Sequence, residues 1–127
     1  MRIQMLLLIA GAGALGAIAR YGLTYASERI WGMQFPVGTL LVNVIGCFLV
    51  GVLYHLSSGL SHDMRIVLGS GFLGALTTFS TFGRETFERL HEGRLGEAFL
   101  NVSSNLVLGL AAVALGFVVA RQLSGNA

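Results

Sequence analysis

The residues of this chain that could do chemistry are polar groups set inside long apolar runs. Arg20 closes the segment GAIAR and follows Ala12 and Gly16 at four-residue steps, so the three share one helical face. A guanidinium there either snorkels to lipid headgroups or faces protein and water, where it would draw anions into a vestibule. Thr39 and Asn43 stand one turn apart, with Gly46 on nearly the same face. The Asn43 amide carries two N–H donors, which suit an anion or a helix–helix hydrogen bond. The densest run is GFLGALTTFSTFGRE, residues 71–85, in which Phe79 and Phe82 share a face and Ser80 and Thr81 take adjacent directions. Aromatic rings are positive at the edge. Two phenylalanines by themselves are packing residues, but with hydroxyls and an amide nearby they make weak, multi-site anion contacts of the kind conduction needs. Asn101, Asn105 and Gly109, at four-residue spacing and with Ser104 beside them, put a polar stripe on an otherwise apolar helix. It either completes a path or glues helices together.

These groups must be positioned by membrane helices. A bilayer core needs about 20 mostly apolar residues per helix, and four stretches qualify, at residues 3–26, 37–56, 66–82 and 98–120. What remains is two short connections, 27–36 and 57–63, and a polar helical continuation over 84–97. The 127 residues then form one four-helix transmembrane domain with its function inside the membrane. The start has the basic residue, leucine run and small residues of a signal peptide, yet the apolar stretch continues to Arg20 and Tyr21, so it reads as a retained first helix. Glycines, threonines and serine in succession weaken a helix, which predicts a break near Gly74 to Thr77. Backbone carbonyls freed at a break suit a monovalent cation such as sodium; the alternative is a glycine-packed kink holding nothing.

Composition agrees with the membrane assignment. Hydrophobic residues make up 54% and charged residues 11%, against about 25% charged in soluble domains, and the mean hydropathy is +0.76. Eighteen glycines suit closely packed membrane helices. The net charge of +2 comes from arginines without a single lysine, and no basic stripe forms, which argues against nucleic-acid binding. Cys47, in an apolar run, reads as a small buried hydrophobe. Arg2, Arg65 and Arg121 would flank one side of the membrane and Arg29, Arg89 and Arg94 the other, a balance without orientation bias. Either something outside the sequence orients the chain, or copies insert both ways and pair antiparallel.

In GAIAR, in GTLLVN ending at Asn43, and in GFLGALTTFSTF followed by Glu85, the chain resembles the small bacterial fluoride channels called Fluc or CrcB proteins, over essentially its whole length. The resemblance implies an all-α dual-topology antiparallel homodimer in the bacterial inner membrane, with two pores and a central sodium ion, passively exporting fluoride. It further implies that Asn43, Phe79 and Phe82 line the pore, that Thr39, Ser80, Thr81 and Glu85 form a polar track, and that Gly74 and Thr77 offer carbonyls to sodium. Arg20 matches the family's first-helix arginine. Where many relatives have a tyrosine and then a serine four residues later, this chain has Asn101 and Asn105, so amides would replace hydroxyls in the path.

Other classes fit less well. A small multidrug exporter, also four-helical, needs a membrane-embedded carboxylate to exchange a proton for its cationic cargo. The first span has none, and Glu85 sits at the end of the third. An intramembrane enzyme would need a base for Ser80, but His55, His62 and His91 lie at span ends or in connections, and no GxSxG elbow or histidine pair at metal spacing occurs within a span. A purely structural subunit would be betrayed by an absence of ion flux.

Overall fold

A computed structural model describes residues 2–125, with helices, short connections and no strand among the described residues. Four helical stretches are long and apolar enough to cross a membrane: Ile3–Trp31, Val37–Gly59, His62–His91 and Leu95–Leu123. Helix α1 (Ile3–Trp31) outruns the expected end at residue 26 because nothing before Gly32 breaks it. Gly32 takes φ of 79° and sends its N–H back to Glu28 O at 2.9 Å, a left-handed stop that favours glycine. At roughly 1.5 Å per residue this 29-residue helix is about 43 Å long, longer than the bilayer core. Helix α2 (Val37–Leu56) starts directly after Pro36.

The third span is assembled from pieces. Ser61 caps α3 (His62–Ile66) by accepting from the Met64 N–H at 3.2 Å. A π-helical segment, Val67–Leu73, follows, then the short α4 (Gly74–Leu76). Thr77 (φ −87°, ψ 159°) and Thr78 (φ −150°, ψ 108°) are extended, and α5 (Phe79–His91) resumes the helix. The helix expected to continue to residue 97 stops at His91, where Gly93 (φ 75°) turns the chain into α6 (Leu95–Leu123).

The extended pair changes the span's neighbours. Its first half, the π segment and α4, packs on α1, whereas α5 packs on α6. Between them lies α2, which makes its broadest contact along α6. That contact is close because Gly51 faces the Val113 carbonyl and Gly116 faces the Phe48 carbonyl, where a Cβ would collide with backbone oxygen. Few side chains are fully enclosed: Leu76, Val42, Asn101 and Ser27. Large apolar groups such as Leu7, Leu15, Leu110 and Leu115 point outward, as a lipid-facing surface requires.

Candidate functional site

The site is built around the extended threonines. In an unbroken helix the Thr78 amide would donate to Gly74 O; here it donates to Asn43 Oδ1 at 2.9 Å. Asn43 Nδ2 returns a longer bond to Thr78 O at 3.4 Å and a second to Asn105 Oδ1 at 3.0 Å. The asparagine thus pairs with Thr78 as a neighbouring strand would, and Gly74 O loses its helical donor. Two β-branched residues favour the extended backbone. Thr78 also caps α5, its Oγ1 accepting from the Thr81 N–H at 3.2 Å. Thr77 can lie across α2 only because position 46 is glycine, since a Cβ there would collide with Thr77 Cγ2.

Amide bonds continue inward from Asn43. Asn105 Nδ2 donates to Asn101 O at 2.9 Å, and Asn101 Nδ2 to Thr86 Oγ1 at 2.9 Å. Thr86 Oγ1 in turn donates to Phe82 O at 2.8 Å. Asn101 is 0% exposed, so its contacts are those of helix–helix fastening within the chain. Outside this chain of bonds lies an open groove of about 290 Å³, lined by Asn43, Thr77, Thr78, Phe79, Phe82 and Asn105 among others. Phe79 is 83% exposed, its ring centre 5.5 Å from that of Phe82 and tilted by 52°.

A second cavity, about 370 Å³, opens at the Pro36 end, where Thr39, Glu85 and Arg89 meet the loop before α2. Buried Thr39 donates its hydroxyl to Glu85 Oε1 at 2.7 Å, while Glu85 Oε2 is enclosed without a hydrogen-bond partner. Arg94, at the rim, is hydrogen-bonded to Glu97 and Glu92, and these carboxylates hold its guanidinium well above the usual arginine range.

The residues singled out from the sequence therefore divide among separate places. Asn43, Phe79, Phe82 and Asn105 meet in the groove, and Thr39 and Glu85 meet at the mouth cavity. Ser80 and Thr81 gather around Thr78 Oγ1, at 3.4 and 2.9 Å. Arg20 lies against the extended pair, its Nη1 donating to Thr77 O at 3.4 Å. The Asn43 N–H donors suited an anion or a helix–helix hydrogen bond; both are engaged within the chain, on Thr78 O and Asn105 Oδ1. Sequence reasoning missed Thr78, Thr86 and Arg89. Thr78 carried a signal, a threonine just ahead of a helical segment; Thr86 and Arg89 show their roles only through partners distant in the chain.

Comparison with known proteins adds to this geometry. The family profile described as CrcB-like protein, Camphor Resistance (CrcB), matches residues 7–117. The chain is 49% identical over 113 residues to the fluoride-specific ion channel FluC of Shewanella amazonensis, covering 87% of this chain and 90% of that one. It is 50% identical over 113 residues to the protein of the same name from Shewanella baltica, covering 87% and 91%. To that from Dehalococcoides mccartyi it is 43% identical over 124 residues, covering 95% of each.

Proposed function

The chain belongs to the CrcB-like family, and from that premise we propose that it is a multi-pass membrane channel, not an enzyme, through which fluoride leaves the cytoplasm passively. The observation that carries this reading is the groove, which Phe79 and Phe82 line together with Asn43 and the threonine pair. Fluoride gives up its water only where several donors replace it. Asn43 can supply one by releasing its 3.4 Å bond to Thr78 O, the longer of its two donations, so the contact made is weak enough to be left again. Ser80 and Thr81 provide further hydroxyls, and Thr39 with Glu85 forms the opposite mouth, with Asn101 and Asn105 bracing Asn43 from behind. Arg20 would lend positive potential from the vestibule side.

The functional unit in this reading is an antiparallel homodimer in the bacterial inner membrane. The groove sets amide, hydroxyl and backbone groups among apolar walls that include Cys47, Val50 and Leu106, and an inverted second copy would cover those polar groups from lipid. The carbonyls of Gly74 and Thr77, one without its helical donor and the other met only by Arg20 at 3.4 Å, suit a sodium ion at the dimer centre. No cluster of three acidic, histidine or cysteine side chains occurs among the described residues, so such an ion would rest on backbone oxygen, which fits a monovalent better than a divalent cation. Its contribution there would be structural.

The test is fluoride efflux from liposomes holding the purified protein, followed with a fluoride electrode after adding valinomycin. Fast fluoride release with far slower chloride release is the expected result. No valinomycin-dependent fluoride release, or equal chloride release, would overturn the reading.

A further inference from the structure

The mouth cavity is organised by an arginine outside the proposed path. Arg89 is 6% exposed. Its Nη1 donates to Glu85 O at 2.9 Å, one turn earlier on α5, and its Nη2 to Gln34 O at 3.0 Å in the loop before α2. The guanidinium carbon lies 5.8 Å from the centre of the Phe35 ring, and Nε faces Glu97 Oε2 on α6 at 3.7 Å. Arg94 reaches the same Gln34 carbonyl from the rim at 3.3 Å. A buried guanidinium is costly unless its donors are used; here Nη1 and Nη2 are used, on backbone oxygens that belong to two different walls of the cavity, while Nε is enclosed without a hydrogen-bond partner. One wall, Gln34 to Pro36, leads into the first turn of α2 and so to Thr39; the other is the turn of α5 that carries Glu85. Thr39 and Glu85 are the two ends of the 2.7 Å hydrogen bond across that mouth.

We propose that Arg89 is a positioning residue of the anion path, which sets Thr39 against Glu85 by fastening the Gln34–Phe35 loop to Glu85's own turn. The inference rests on the channel reading above. It demands a planar fork that spans two carbonyls; a lysine ammonium, one compact charge on a flexible stem, cannot hold both walls at once.

The experiment is a double-mutant cycle on fluoride efflux. Arg89→Met should lower efflux about tenfold in the wild-type background and no more than about twofold in a Thr39→Val background, because a residue that acts through the Thr39–Glu85 pair has nothing left to position. Arg89→Lys, which keeps the buried charge and supplies the measurement if Arg89→Met does not accumulate, should follow the same pattern. Arg94→Gln, which removes the rim donor to Gln34 O together with the rim pairs to Glu92 and Glu97, should change efflux less than about threefold. Full efflux in Arg89→Lys would show that charge alone suffices and overturn the proposal. Equal losses from the Arg89 change in both backgrounds would also overturn it, leaving Arg89 a part of general stability and the channel reading intact. A wild-type protein that passes no fluoride would bring down both readings together.

Discussion

Asn43 commits both of its donors and one acceptor site: Oδ1 takes the Thr78 N–H, and Nδ2 holds Thr78 O and Asn105 Oδ1. Asn43→Asp keeps the acceptor and loses both donors, setting a carboxylate beside two oxygens in the proposed anion path. Fluoride efflux should fall about tenfold or more, since orphaned buried polar groups alone cost about 1–3 kcal/mol; unchanged efflux would remove Asn43 from the path. At this scale the sequence told which residues were unusual for their surroundings. Phe79, Phe82 and Asn43 stood out by type and spacing, and they do share one groove. Which hydrogen of Asn43 goes where did not stand out, because both partners lie at least 35 residues away in the chain.

Among the elements, the third span matters most because its two halves pack on different neighbours. Thr78 is the joint: its backbone pairs with Asn43 and its side chain caps α5. Thr78→Val keeps the β-branched shape and removes the cap, so thermal unfolding in detergent should show a loss of about 1 kcal/mol, with Thr78→Ser close to neutral. A loss in Thr78→Ser with none in Thr78→Val would mean that the methyl contact, not the cap, holds the joint. Glycines, threonines and serine made an uneven third span legible in composition. That the residues with extended backbone are Thr77 and Thr78 goes with the pairing of Thr78 to Asn43 and the close approach of Thr77 to Gly46, contacts no local pattern encodes.

For the molecule as a whole, orientation turns on the arginines at its ends. The cavity at the Pro36 end gathers Arg84, Arg89 and Arg94, and Arg29 closes α1 nearby, making four; Arg2, Arg65 and Arg121 belong to the other end, making three. Arg84, left out of the sequence count, accounts for the difference, and its exposed pair with Glu88 at 2.6 Å leaves it in that count, because acidic residues contribute little to the bias. With so slight a bias, a few added arginines at either end should lock one orientation. Each locked form alone should then be inactive in fluoride protection of cells, and the two oppositely locked forms expressed together should be active. Normal activity from one locked form by itself would exclude the antiparallel pair.

Composition and periodicity by themselves determined that this protein lives in a bilayer, that it crosses four times, and that its few intramembrane polar residues sit on particular faces. Those are properties of each helix taken singly: hydropathy decides whether it enters lipid, and a 3.6-residue repeat decides which side chains stand together. Tertiary structure alone decided the partners. Asn101 closes on Thr86 inside the protomer, Arg89 reaches a loop 55 residues earlier, and Gly51 lets α6 approach backbone to backbone. Each depends on the angle and depth at which two distant helices cross. A sequence pattern records the face a residue occupies on its own helix, and it carries no record of what the crossing brings to meet that face.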